Sequence, residues 1–303
     1  MMPTPAPTPA PVEICAVIVT YNPDHKLARL INALQHEVGA IVIVDNGSAD
    51  LALVQAQAEQ VRAVVLLDHN HGLGHALNVG AVRAEALGYP WLLTFDQDSC
   101  PTPAMVARLL AAHAAMLATG EPVGAVGPAQ VITATAAPPA GDAPPTPTWA
   151  RKDHLITSGM VLPVALYRQI GGYRADYFID MLDFELCARL HQHGYTAVQV
   201  ATAELVHEVG DPVYLRVLHK QLISSNHSPL RRYFMIRNRL MFLRQYGVRA
   251  HHRVAAGMIY DTIVALLIER QRFKKLHAIC CGAWHGLRGI GGAPSEQLSA
   301  RLR

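Results

Sequence analysis

Apolar positions in this chain follow two alternating patterns. Continuous β-branched runs read as strands covered on both faces, and stripes at three- and four-residue spacing read as helices. Ile14 to Thr20 is the first run, punctuated by Pro23 and Asp24. Leu27, Leu30, Ile31 and Leu34 then mark one face of a helix. "AIVIVD" predicts a second strand ending at Asp45, followed by the turn "NGSAD". "AVVLLD" predicts a third ending near Asp68, then a helix from about His75 to Leu87, then a fourth strand, "WLLTFD". Further on, "HLITSGMVLP" reads as a strand region, "ALYRQIGGY" as a short helix with a glycine stop, and "DMLDFELCARLHQHG" as a helix. Strand alternating with helix predicts an α/β fold with a parallel sheet.

In such sheets ligands bind beyond the carboxyl ends of the strands. Polar residues collect at those ends here: Thr20-Tyr21-Asn22, Asp45-Asn46, Asn70 and Asp96-Gln97-Asp98. The last cluster poses a chemical question, because two desolvated carboxylates one residue apart repel each other. A divalent cation with oxygen ligands, Mg2+ or Mn2+, is the natural compensation. An exposed turn would also accept two aspartates, so the company they keep matters. "NHGLGHALNVG" supplies a loop open to close approach, with Gly72, Gly74 and Gly80. It is not a dinucleotide fingerprint: GxGxxG needs glycine where Leu77 stands, and the loop follows the third strand instead of the first. A nucleotide-binding oxidoreductase is therefore the weaker alternative, and a non-catalytic scaffold would not need two sets of carboxylates.

With 303 residues, 51% of them hydrophobic, the chain can bury one large core or two small ones. The net charge of +3 says little about partners, and no nucleic-acid partner is expected. Local charge says more. Residues 212–260 hold nine Lys or Arg and no Asp or Glu. Within them, "SPLRRYFMIRNRLMFLRQYG" predicts a helix capped by Ser228, with Pro229 in its first turn and Gly247 at its end. Arg231, Arg232 and Arg237 on it are candidates to meet a diphosphate. Five scattered cysteines without a CxxC predict reduced thiols in a cytoplasmic protein. The Pro-rich residues 1–12 predict a disordered tail with no signal-peptide pattern, and 134–148 a flexible loop. Residues 254–268 are apolar but too short to span a bilayer and contain Asp261. With the basic "ERQRFKKLH" behind them, they would either lie on an anionic leaflet or pack as a terminal helix. The expected organisation is a catalytic domain over 13–246 and a helical, membrane-associating region over 247–303.

"AVIVTYNP", "IVIVDNGS", "NHGLGHALNVG", "LLTFDQDS" and "YFIDMLDFELCARL" stand in the order and rough spacing of glycosyltransferase family 2, which has the GT-A fold. Together they cover about Ala16 to Arg189. "NHSPLRRYFMIRNR" and "WHGLRGIGGAPS" resemble the family's rhamnosyltransferase branch, which serves O-antigen and rhamnolipid assembly. The resemblance implies an inverting, metal-dependent transfer from a nucleotide-sugar, dTDP-L-rhamnose or alternatively a UDP-sugar. The acceptor would be a saccharide or lipid-linked molecule at the cytoplasmic face of the inner membrane. By motif, Thr20, Tyr21, Asn22, Asp45, Asn46, Asn70, Gly72 and Asn78 would border the nucleotide. Asp96 would face the ribose or the metal, and Asp98 would bind the metal, with His207 as a further contact. Asp183 matches the family's base and Glu185 the later acid, with Asp180 as the alternative base. Leu182 departs from the pattern, which has Glu there. Ser158 and Gly159 would border the acceptor.

Overall fold

The computed structural model describes residues 6–133, 148–208, 213–217, 220–224 and 226–302. The expected flexible loop at 134–148 lies outside them except for Thr148. The chain packs as two compact units, Met1–Ala175 with Leu182–Glu208, and Asp176–Met181 with Val209–Arg303.

The first unit is built on one mixed sheet. Its strands are β1 (Ile14–Thr20), β2 (Ala40–Asp45), β3 (Ala63–Leu66), β4 (Trp91–Asp96), β5 (Cys100–Pro101), β6 (Val123–Thr133), β7 (Trp149–Lys152), β8 (Met160–Pro163) and β9 (Thr196–Glu208). They lie in the order β3-β2-β1-β4-β8-β6-β9-β5, with β7 beside β9. The first four are parallel, as the alternation of strand and helix predicts, and β8 then joins β4 antiparallel. That reversal is not written in the hydrophobic pattern, since a four-residue buried strand reads the same in either direction. The helices are α1 (Lys26–Leu34), the single turn α2 (Ala52–Gln55), α3 (Leu73–Ala86), α4 (Met105–Ala118), α5 (Val164–Gln169) and α6 (Leu182–Gln192). Leu27, Leu30, Ile31 and Leu34 face the core as predicted, and Met105, Val106, Leu109 and Met116 of α4 join them. On the other face α3 lies close against the sheet. A Cβ at Gly80 would sit 2.2 Å from Val17 Cγ1, so glycine sets that approach.

The Pro-rich segment expected to be disordered is held from Ala6 on. Ala6 packs on the core cluster, and the Thr8 hydroxyl is 2.8 Å from His113 Nδ1 on α4. His113 also meets the edge of Trp91. Burial pushes its pKa down to about 4 from 6.5. The unfolded chain therefore binds the extra proton first, so His113 favours folding above pH 6.5 and that contribution is lost as pH falls towards 4. Melting curves between pH 7 and pH 4 should show a shallower decline for His113→Gln than for the natural chain.

The second unit holds the two-stranded hairpin β10 (Val213–Val217) and β11 (Lys220–Ser224), and helices α7 (Pro229–Tyr246), α8 (His252–Leu267), α9 (Arg272–Arg288) and α10 (Glu296–Leu302). As predicted, Ser228 caps α7, accepting from the Arg231 N–H at 3.2 Å, and Gly247 ends it at φ 87°. Helix α9 crosses α7 through small residues: a Cβ at Gly282 would lie 2.5 Å from the Tyr233 carbonyl oxygen, and one at Gly286 2.6 Å from that of Arg237. All five cysteines are free. Burial pushes the Cys15 and Cys187 thiols up to about 12, which leaves them inert.

Candidate active site

The parallel strands β2, β1 and β4 deliver Asp45, Thr20 and Asp96 to one edge of the sheet, because Thr20 pairs with Asp45 and Val19 with Asp96. Asp45 is fully buried. It accepts from the Thr20 hydroxyl (3.0 Å), the Ser48 backbone N–H (2.9 Å) and the Ser48 hydroxyl. Its carboxylate is thus turned inward and shapes the turn after β2. Asn22, in the left-handed region at φ 48°, is tied to the same turn: its N–H donates to Ser48 Oγ and its Oδ1 accepts from Ala49 N–H.

Asn46 reaches the next loop. Its Nδ2 donates to Asn70 Oδ1 (3.1 Å), its Oδ1 accepts from the His71 N–H (2.9 Å), and Asn70 Oδ1 also accepts from the Gly72 N–H (2.9 Å). Gly47 permits this contact. Its φ is 82°, and a Cβ there would lie 2.4 Å from the His69 carbonyl carbon. The result is a fixed rim of backbone and amide groups at the mouth of the sheet. In this loop, hydrogen bonds from His71 and then His69 hold the Asp68 carboxyl down at about 2.

The Asp96-Gln97-Asp98 turn is braced from two sides. The Asp96 N–H donates to Ser158 Oγ (2.9 Å), and the Ser158 and Ser99 hydroxyls are hydrogen-bonded to each other. Gln97 pairs with the Tyr21 backbone, accepting from its N–H (2.7 Å) and donating to its carbonyl (3.2 Å). Gly159, at φ 81°, donates to the Thr94 carbonyl at 2.7 Å. The structure thus places Ser158 and Gly159, which the resemblance puts beside the acceptor, behind the DQD turn. Asp98 alone of the turn projects into solvent, and among the described residues no side chain or backbone group pairs with it.

Asp183 lies in the first turn of α6, half-buried, with Oδ1 accepting from the Phe184 N–H at 2.9 Å. The start of this helix sits against the start of α3: a Cβ at Gly74 would be 2.9 Å from both Leu182 Cδ2 and the Arg174 carbonyl oxygen. Close packing at Gly74 therefore brings the start of α6, on which Asp183 lies, against the start of α3.

Several expected site residues have other partners. Glu185 is fully buried, and both its oxygens accept from Arg189 one helical turn on (2.9 and 3.0 Å to Nε); Arg189 in turn donates to the Ile170 and Gly172 carbonyls. Asn78 is occupied by Tyr173 N–H (2.9 Å), the Tyr173 carbonyl (2.8 Å) and the Tyr167 hydroxyl. Through these contacts both side chains hold neighbouring loops in place. His207 falls in β9, but its side chain lies outside the described residues.

In the second unit, the alternative base Asp180 lies before the start of α6, outside any helix. It stands at φ 76° in a strained loop, between Phe178 at 65° and Met181 at 63°. Asp180 Oδ1 is 3.5 Å from Arg231 Nη2, and among the described residues neither Asp180 Oδ2 nor Arg231 Nε, both buried, has a hydrogen-bond partner. Arg232 is buried against Glu269, which also accepts from Lys275 at 2.7 Å. Arg237 is fully buried. It donates to the Asp176, Tyr177 and Gly292 carbonyls and to Asn238 Oδ1. Neither guanidinium is presented to a diphosphate, because a helix face that is basic in sequence is here largely turned into the unit. Asn238, which the sequence did not single out, donates to the Tyr177, Ile179 and Asp180 carbonyls. The available signal was an Asn in the middle of a long predicted helix, far from either cap.

Comparison with known proteins agrees with this geometry. Residues 15–123, which contain Thr20, Asp45, Asn70 and Asp96, match the family model "Glycosyl transferase family 2". Over 298 residues the chain is 27% identical to the dTDP-rhamnosyl transferase RfbF of Shigella flexneri, spanning 92% of this chain and 97% of that protein. Among solved structures, S. aureus TarS 1-349 in complex with UDP-GlcNAc matches with a TM-score of 0.55 at 15% identity, over 95% of this chain and 83% of that one. GalNAc-T7 with UDP, GalNAc and Mn2+ matches with a TM-score of 0.55 at 15% identity, over 91% of this chain and 56% of that one. At those identities the likeness shows the fold alone. Residues 15–123 match family 2 glycosyltransferases, and the chain is a glycosyltransferase of the GT-A fold.

Proposed function

We propose that this enzyme transfers L-rhamnose from dTDP-L-rhamnose, with inversion, to a saccharide or lipid-linked acceptor in the synthesis of cell-surface polysaccharide or rhamnolipid. The observation that carries the reading is Asp98: an unpartnered carboxylate on a braced turn, beside the amide rim, with a separate carboxylate, Asp183, on the same unit. The sugar label rests on the likeness to the Shigella flexneri rhamnosyl transferase. Thr20, Tyr21, Asn22, Asn46, Asn70 and Gly72 border the nucleotide in this reading, with Asp45 acting through the turn it shapes.

An inverting transfer is one in-line displacement. Asp183 takes the proton of the acceptor hydroxyl as the new bond forms, while positive charge develops at the sugar carbon. Asp98, with Asp96, offers the oxygen ligands that Mg2+ or Mn2+ prefer. A cation held there supplies charge neutralisation of the departing diphosphate. Purified protein incubated with dTDP-L-rhamnose, UDP-glucose or UDP-galactose, with Mn2+ or with EDTA, tests the proposal by release of nucleoside diphosphate. Metal-dependent release from dTDP-L-rhamnose alone is the expected result. Release from a UDP-sugar instead overturns the donor, and release unaffected by EDTA overturns the metal role.

The second unit suits a lipid-linked acceptor. Among the described residues no helix is long and apolar enough to cross a membrane. Two helices nevertheless show apolar stripes to solvent: Ile259, Ile263 and Leu267 on α8, and Phe273, Leu276, Trp284 and Leu287 on α9. Arg270, Arg272 and Lys274 lie in the same region of the chain. Apolar stripes with basic residues close by favour the interface of an anionic leaflet. The protein should float with vesicles rich in phosphatidylglycerol and not with phosphatidylcholine alone. Phe273→Glu with Trp284→Glu should abolish flotation, and flotation retained by that double variant would remove the membrane role.

A further inference from the structure

We propose that Asp68, His69 and His71 form a second metal site, separate from the DQD turn, that takes a borderline transition ion of the Zn2+ class. The three residues follow β3 and enter α3. His71 Nε2 lies 2.7 Å from Asp68 Oδ1, and His69 Nδ1 lies 3.0 Å from Asp68 Oδ2. All three donor atoms fall within 4.8 Å of one another. A Zn2+ ion sits about 2.0–2.2 Å from nitrogen and carboxylate ligands, so a cluster of this size needs only small rotamer shifts to surround it.

The donor set decides the ion. Two imidazole nitrogens and one carboxylate oxygen suit Zn2+, Co2+ or Ni2+, whereas Mg2+ and Mn2+ favour the all-oxygen chemistry of the DQD turn. Three protein ligands leave room for a fourth. His75, whose ring centroid is 4.8 Å from that of His71, stands beside the cluster on the first turn of α3. Access is open, since the side chains of Asp68 and His69 are 79% and 65% exposed and that of His71 30%. In the metal-free arrangement the carboxylate meets both imidazoles, so an incoming ion takes the place of those two contacts.

The site would act on the active centre through the chain. Asn70 lies between the two histidines, and the His71 N–H donates to Asn46 on the rim. An ion gripping residues 68, 69 and 71 fixes the loop that carries the Asn70 and Gly72 contacts.

Calorimetric titration of tag-free, full-length protein with Zn2+, in buffer containing excess Mg2+, tests the proposal. One equivalent should bind. Asp98→Ala should bind it with unchanged affinity. His69→Gln with His71→Gln should lose affinity by 10–100-fold or more, on the order of what even outer-shell changes cost at metal sites. Circular dichroism of that variant should match the natural chain; if it does not, Asp68→Asn supplies the same reading with less change of shape. Absence of binding in the micromolar range, equal binding by the His variants, or loss of binding in Asp98→Ala would each overturn the site.

Discussion

Asp183→Asn is expected to lower turnover by roughly 10²–10⁴-fold, the contribution of a positioned general base, while nucleoside diphosphate affinity stays unchanged. The asparagine keeps the shape at the start of α6 and can still accept from the Phe184 N–H. What it loses is a group able to take the acceptor's proton. Asp98→Ala should show a different pattern. It removes the exposed carboxylate of the DQD turn without disturbing Ser158 or Gln97, which hold that turn through other atoms. Metal-dependent nucleotide binding should then weaken along with turnover. Measuring both quantities for both variants separates proton transfer from donor binding. Asp180→Asn completes the set. Asp180 sits in a left-handed loop with one carboxylate oxygen that no described residue hydrogen-bonds, which is how a strained functional residue also looks. If Asp180→Asn lost the larger share of turnover with normal binding, the base would be Asp180, and Asp183 would keep only its place at the helix start.

Much of the first unit was legible because its signals are local. A buried strand that ends in polar residues announces itself in six or seven positions, and β1, β2 and β4 did so. The carboxylates at their ends could be read as a cluster because parallel strands put like ends together. Two things were not local. The reversal at β8 depends on which edge a short apolar segment joins, and nothing in "MVLP" encodes a direction. The partners of long polar side chains depend on what lies across the fold. Glu185 and Asn78 look available in sequence, yet Arg189 and Tyr173 occupy them. Ser158 was noticed for the acceptor, but its hydroxyl meets the Asp96 N–H through a pairing 62 residues apart in sequence.

The basic helix α7 shows the same limit most sharply, and it gives the other large expected effect. Arg237→Met should destabilise the protein by on the order of 4 kcal/mol, since hydrogen bonds from a charged donor contribute about 1.5–3 kcal/mol each and the guanidinium makes several of them from a fully buried position. Its guanidinium forks between the Asp176 and Tyr177 carbonyls on one side and Gly292 on the other. Lysine cannot reproduce that fork, so Arg237→Lys should recover only part of the loss. Asn238→Ala frees the Tyr177, Ile179 and Asp180 carbonyls from the other half of the clamp. Together the two side chains hold a loop in which three non-glycine residues have positive φ. Each such residue costs of order 1–3 kcal/mol, so the loop keeps this shape only while its carbonyls are gripped. Thermal denaturation with and without nucleotide distinguishes this role from the one the sequence suggested. A diphosphate ligand would leave the melting temperature of free Arg237→Met unchanged and weaken nucleotide binding. A clamp lowers the melting temperature of the free protein, and at temperatures where the variant remains folded it leaves intrinsic nucleotide affinity close to that of the natural chain.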